Sequence, residues 1–126
     1  MRDTLSTMLV AILALLSTEA QAQDAETIAD VRCVIVGVLL VQKADPAQRT
    51  AGSMLSMYYI GRLDGRVPKL DLEELILKEG GTMTNADFAA EAKRCGATLA
   101  ARGQEITQIG QDIVERGRKQ SGEQAK

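Results

Sequence analysis

The feature that most constrains the fold is a regular alternation of apolar residues in the last third of the chain. These residues recur in steps of four and three, and one charged residue, Arg102, interrupts them. Such steps place side chains on one face of an α-helix. The row consists of Phe88, Ala92, Cys95, Leu99, Ile106, Ile109 and Ile113. We therefore predict a long helix from Thr84 to about Gly117, opened by a capping box that pairs Thr84 with Asp87.

Four glycines recur every seven residues in the same stretch, at Gly96, Gly103, Gly110 and Gly117. Seven residues are close to two helical turns, so the glycines form a stripe beside the apolar row. The stripe has two interpretations: a groove for the helix of a partner, or tight packing against a helix of the same domain. Because glycine is a poor helix former, we also expect a kink or break near Gly103.

Three shorter helices are predicted before the long one, at Asp24–Val41, Pro46–Gly65 and Asp71–Glu79. The β-branched run at 31–41 could also form a buried strand, but no second strand-like run offers it a partner. Asp45 precedes Pro46 as an N-cap, which fits the start of the second helix. The fold class predicted is all-α, a small bundle of about four helices.

The amino-terminal segment has the pattern of a secretory leader. Residues 8–16 are an unbroken apolar run, and Ala20-Gln21-Ala22 is a small-residue cleavage signature. The run is too short to span a bilayer, so no stable membrane anchor is expected after processing. We predict a signal peptide at 1–22, a helical domain at 23–118 and a flexible tail at 119–126, with the mature protein in the periplasm or secreted.

Charge and composition argue against several classes of function. The chain has 15 basic and 17 acidic residues, of which the predicted mature part keeps 14 and 15. A nucleic-acid-binding protein normally has a basic excess, so none is expected here. Histidine is absent, which excludes histidine metal ligands and histidine acid–base chemistry. No nucleophile-and-base set stands out, so we predict no catalytic residues, no metal and no cofactor.

The two cysteines, Cys33 and Cys95, both lie in the predicted mature part. Two cysteines in an exported domain most often form one disulfide, and a pair of free buried thiols is the alternative. A bridge would join the first and last helices around the middle helix, which would make the middle helix the organising element. It would close a loop of roughly 60 residues and stabilise the domain by about 4 kcal/mol.

The candidate functional surface is the end of the middle helix, residues 58–66. Tyr58, Tyr59, Arg62, Asp64 and Arg66 concentrate aromatic and charged side chains there, with Arg62 and Arg66 one turn apart on one face. The functional interpretation is a patch that binds a partner or an anion. The structural interpretation is a solvated helix end, with the tyrosines half in the core.

The same helix contains two glycines, Gly52 and Gly61. A glycine tolerated inside a helix often marks the close approach of another backbone.

The arrangement resembles the HdeA-like group, which includes periplasmic acid-stress chaperones and the related Rap1a/Tai immunity proteins. The resemblance rests on a cysteine in an early helix, a Tyr-x-x-Gly-x-x-Asp-Gly-like middle helix and a cysteine in the last helix. The matching residues are Cys33, Tyr58 or Tyr59, Gly61, Asp64, Gly65 and Cys95. The resemblance implies a small exported helical fold with one disulfide.

The function predicted is therefore non-catalytic binding of a protein partner, in the manner of an immunity protein or inhibitor. Tyr58, Tyr59, Arg62, Asp64 and Arg66 are the predicted contact residues. The alternative is an acid-stress chaperone with several client proteins. Below about pH 3 most carboxylates are protonated, and unopposed positive charge would then expand the domain and expose its aliphatic core.

Overall fold

The computed structural model describes residues 25–124, which form four helices and no strand. Helix α1 covers 25–41, α2 covers Pro46–Arg66, α3 covers Leu72–Gly80 and α4 covers Asn85–Gln124. The all-α prediction of about four helices is confirmed, and residues 31–41 are helical. The predicted signal peptide lies outside the described residues. Within 25–124, no helix has both the length and the apolar character needed to cross a membrane.

Local signals set the starts of α2 and α3. The side chain of Asp45 accepts a hydrogen bond from the N–H of Ala47 at 3.0 Å, and that of Asp71 accepts one from the N–H of Glu74 at 3.0 Å. Each bond satisfies an N–H that has no partner within the first turn of its helix. Asp45 is the cap that the sequence predicts, and Asp71, the residue at which the third helix is predicted to begin, is its cap.

The capping box at the start of α4 is also confirmed. The Asp87 carboxylate accepts from the N–H of Thr84 at 2.9 Å and from its hydroxyl at 2.7 Å. The Thr84 hydroxyl accepts from the N–H of Asp87 at 3.2 Å. The N–H and the hydroxyl of Thr84 hold the pKa of Asp87 below its usual value.

The core is centred on α1 rather than on the middle helix. α1 is buried on nearly all sides along residues 31–37, whereas α2 buries one face. The expectation that α2 is the organising element is therefore wrong, because the helix that is apolar on nearly all sides takes the centre. The buried apolar side chains are Val31, Cys33, Val34, Ile35, Val36, Leu55, Tyr59, Leu63 and Cys95.

Helices α1 and α2 cross with their backbones in contact. A Cβ atom built on Gly52 would lie 2.6 Å from the carbonyl oxygen of Gly37 and 2.7 Å from the backbone nitrogen of Val41. A Cβ atom on Gly37 would lie 2.8 Å from the carbonyl oxygen of Gly52. The crossing point therefore has room only for glycine on both helices, which explains Gly52 in the middle of a helix.

Helix α4 differs from its prediction in length and in continuity. It has 40 residues and runs to Gln124, through Gly103 and into the segment predicted as a flexible tail. Glycine weakens a helix but, unlike proline, does not block its geometry, so the chain continues through Gly103. At about 1.5 Å per residue the helix is about 60 Å long.

The second part of α4 lies outside the core, since every residue from 100 to 122 is exposed. Within residues 25–124, no atom apart from the neighbouring backbone of α4 itself lies within 4 Å of a Cβ built on any of the four periodic glycines of α4. Among these residues, the interpretation of the stripe as tight packing against a helix of the same domain is therefore wrong.

Candidate functional site

A disulfide joins Cys33 of α1 to Cys95 of α4, with their Cα atoms 5.6 Å apart. The predicted bridge is confirmed, and the alternative of free thiols is wrong. Arg94 covers it, donating to the carbonyl of Ala29 at 2.7 Å and to the Cys33 sulfur at 3.0 Å. Among the described residues, the one group of three possible metal ligands is this cysteine pair with Glu91. The disulfide occupies both sulfur atoms, so the group has no thiolate to offer a metal.

The predicted surface at the end of α2 is built around two arginines that reach across to α1. Arg62 Nε lies 3.0 Å and Arg66 Nη2 lies 2.6 Å from the same oxygen of Asp30. The two arginines also meet one oxygen of Glu26, at 3.1 and 2.5 Å. The Asp30 side chain is 3% exposed, whereas that of Glu26 is 57% exposed. We call these four residues, together with Tyr58, the tyrosine–arginine cluster.

The two tyrosines have different environments. Tyr59 is 1% exposed and belongs to the core, whereas Tyr58 is half-buried at its edge. Their rings meet edge to face with centroids 5.0 Å apart. The Arg62 guanidinium lies 5.9 Å from the Tyr58 centroid and 5.5 Å from the Tyr59 centroid, within the range of a cation–π contact. Arg62 thus contacts both rings and both carboxylates at once.

Arg102 of α4 also interacts with Tyr58. A hydrogen bond from Arg62 and a weaker interaction with Arg102 lower the pKa of the Tyr58 hydroxyl, and partial desolvation opposes them. Glu105, and then Tyr58, raise the pKa of Arg102. Arg102, the residue that interrupts the apolar row in the sequence, therefore lies where α4 leaves the core.

The structure brings together four of the five predicted contact residues, Tyr58, Tyr59, Arg62 and Arg66. Tyr59 is inside the core, and Asp64 is exposed and makes no ion pair within the described chain.

Sequence reasoning missed three members of the site: Glu26, Asp30 and Arg102. A signal exists for the first two. Glu26 and Asp30 are four residues apart on α1, as Arg62 and Arg66 are on α2, and such matched pairs can face each other across two helices.

We predict that Arg62→Gln raises the pKa of Tyr58 towards its ordinary value, because it removes the strongest interaction that lowers it. Spectrophotometric titration of tyrosinate measures this directly. Since folding lowers this pKa, ionised Tyr58 contributes stability that is fully present above about pH 10 and is lost as the pH falls through the folded pKa. Asp64→Asn is the matched control on the same turn and should leave the titration unchanged. An unchanged pKa in Arg62→Gln would contradict the assignment.

We expect Asp30→Asn to lower the free energy of unfolding by about 2 kcal/mol, because it leaves two arginines without their buried partner. The estimate is below that for a fully buried pair, since Arg62 and Arg66 remain 32% and 25% exposed. The control Glu26→Gln removes an exposed carboxylate that contacts the same arginines and should cost less than about 1 kcal/mol. Urea unfolding of both variants tests the difference, and equal losses would refute the central role of Asp30.

A second feature is an apolar groove where the end of α1 meets α3 and the start of α4. It has a volume of about 610 Å³ and an adjoining lobe of about 300 Å³. Ile35, Leu39 and Gly80 line both parts. Lys43 also lines the larger part, and Leu77, which is 70% exposed, lines the lobe. The groove has the size and apolar lining of a ligand or peptide site.

Comparison with protein-family models, with curated proteins and with solved structures gives no match. The resemblance to the HdeA-like group therefore stays a prediction.

Proposed function

We propose that this chain is an exported, non-catalytic protein that binds one protein partner, in the manner of an immunity protein or inhibitor. The observation that supports it best is the apolar groove between α1, α3 and α4. Three large apolar side chains around it are exposed: Val38 at 39%, Leu39 at 45% and Leu77 at 70%. Contiguous exposed apolar surface of this kind is typical of sites where another protein binds.

The groove has the composition of a protein interface. Its lining combines the apolar residues Ile35, Leu39 and Phe88 with the polar residues Gln42 and Lys43. In a protein interface, apolar side chains exclude water from the contact and polar side chains set its orientation. The partner side chain best suited to the groove is a large apolar residue on a helix or an extended segment.

The tyrosine–arginine cluster has a supporting role in this proposal. Arg62 and Arg66 already bind Glu26 and Asp30, so the cluster holds α1, one wall of the groove, against α2. The half-buried Tyr58 of the cluster and the exposed Asp64, which lies outside it, form a second contact region for the partner in this proposal.

Affinity capture from an extract of the native envelope tests the proposal. We expect wild-type protein to retain one dominant protein at pH 7 and a Leu39→Glu/Leu77→Glu variant to lose it. Met57→Glu is the matched control, because Met57 is an apolar side chain 76% exposed on α2 and does not line the groove. An Arg62→Ala/Asp64→Ala variant measures how much the second contact region contributes to retention of the partner. Retention of the partner by the groove variant would refute the assignment of this site.

A second candidate function is the acid-stress chaperone, and one observation favours it. The buried Asp30 lies between Arg62 and Arg66 at the junction of α1 and α2. Below about pH 3 most carboxylates of the chain are protonated, and its unopposed lysines and arginines would repel one another. Separation of α1 would then expose the aliphatic core to clients. A protein that fails to suppress client aggregation at pH 3 would rule this function out.

A further inference from the structure

The part of α4 beyond the core has an apolar face without a partner among the described residues. Four of its aliphatic side chains are at least half exposed, and we call them the α4 strip: Ile106 at 69%, Ile109 at 50%, Ile113 at 64% and Val114 at 56%. Exposure of several large aliphatic residues along one helix face costs free energy in water. A long helix segment without tertiary contacts is also marginally stable, and this one contains four weakening glycines.

The period of the α4 strip indicates what covers it. The strip continues the face that packs on the core at Cys95 and Leu99, with the same steps of four and three. Gly103, Gly110 and Gly117 run beside it and repeat every seven residues, with open space around each. A face with a seven-residue repeat matches a second helix that winds around it with the same repeat. Glycine on its edge lets that second backbone approach closely.

The charges of the segment select the orientation of such a helix. Residues 103–112 carry Glu105 and Asp112 and no basic residue, which gives a net charge of −2. Residues 113–122 carry three basic residues and one acidic residue, which gives +2; they are Glu115, Arg116, Arg118 and Lys119. Two copies of α4 that run antiparallel place each negative half against a positive half. Parallel copies place like charges together, which is unfavourable.

We propose that the α4 strip is a dimer interface, and that its occupant is α4 of a second copy of this chain, running antiparallel. Ile109 of one copy then lies against Ile113 of the other, on both sides of the two-fold axis. The same register brings Glu105 near Lys119 of the second copy. In the single chain, each of these two residues forms an ion pair within its own helix, Glu105 with Arg102 and Lys119 with Glu115. Both pairs are exposed, so replacing them with an ion pair between the two copies costs little free energy. The interface uses none of the residues of the apolar groove.

Sedimentation equilibrium of the full oxidised protein over a wide concentration range tests this proposal. We expect a dimer, and for Ile109→Lys/Ile113→Lys a dissociation constant raised about 100-fold or more. Because both isoleucines are exposed, far-ultraviolet circular dichroism of this variant at a concentration where both proteins are monomeric should be unchanged. Leu77→Lys removes an equally exposed apolar residue from α3 and should dimerise as wild type does. A wild-type monomer at every concentration, or a dimer that survives the isoleucine variant, would overturn the proposal.

Charge reversal tests the antiparallel orientation. Glu105→Lys/Asp112→Lys makes both halves positive, so the dimer should weaken, and more so at low salt. Adding Arg116→Glu/Lys119→Glu to that variant reverses the second half as well and restores opposite charges across an antiparallel pair. We expect this fourfold variant to recover the wild-type dissociation constant. A fourfold variant that stays as weak as the double variant would contradict the antiparallel arrangement.

Discussion

Removal of the Cys33–Cys95 disulfide is expected to lower the free energy of unfolding by about 4 kcal/mol. The two cysteines are 62 residues apart, and the bridge removes loop-closure entropy of this size from the unfolded chain. It also ties α4 to α1, the helix at the centre of the core. A domain of about a hundred residues has a small core, so this loss is a large fraction of its total stability.

Chemical denaturation of Cys33→Ala/Cys95→Ala, in parallel with wild-type protein under reducing and oxidising conditions, measures the effect. Reduced wild type and the double variant should both unfold at much lower denaturant concentration than oxidised wild type. The double variant should be insensitive to reductant, which is the internal control. If reduction leaves the midpoint of wild type unchanged, the bridge does not stabilise the domain.

Gly52→Ala is expected to have the second-largest effect, a loss of about 3 kcal/mol, because a methyl group at the helix crossing meets backbone on the opposite side. The carbonyl oxygen of Gly37 and the nitrogen of Val41, at 2.6 and 2.7 Å from such a Cβ, cannot rotate away as a side chain could. The two helices must separate. For a domain of this size, the loss corresponds to a fall of roughly 12–24 °C in the midpoint of thermal unfolding.

Gly61→Ala is the matched control on the same helix. A Cβ at Gly61 meets no atom within 4 Å, so the substitution gains only helix propensity and should stabilise the protein by about 1 kcal/mol. Thermal unfolding followed by circular dichroism would show the two alanine variants moving in opposite directions from wild type. A Gly52→Ala protein as stable as wild type would refute the close crossing of α1 and α2.

The features that the sequence predicts correctly are those with local signals. Asp45, Asp71 and the pair Thr84 with Asp87 cap helices because a side chain and an N–H two or three residues away suffice for each bond. The disulfide follows from two cysteines in a chain with a leader pattern. Close approach at a mid-helix glycine is correct for Gly52.

The same expectation fails for Gly61, because packing decides which of two similar positions lies at a crossing. Other misses also depend on pairs of elements distant in the chain. Asp30 occupies an early turn of a helix, where its charge also suits the helix dipole, and nothing local reveals that it faces Arg62 and Arg66. The end of α4 differs from the predicted flexible tail for a related reason. A polar end resembles a flexible tail, yet it continues the helix as far as Gln124.

The position of Arg102 divides α4 into two parts that should exchange their amide hydrogens with solvent by different routes. Residues 85–99 pack on the core, so their amides open with the whole domain, whereas those beyond Arg102 open through local fraying. A continuous helix would thus contain two units of opening, one of them tied to the disulfide. In the proposed dimer, the protection of amides beyond Arg102 against hydrogen exchange would rise with protein concentration. The protection of amides at 85–99 would stay constant. Amide hydrogen exchange along this single helix would then report both the folding of one chain and its assembly with another.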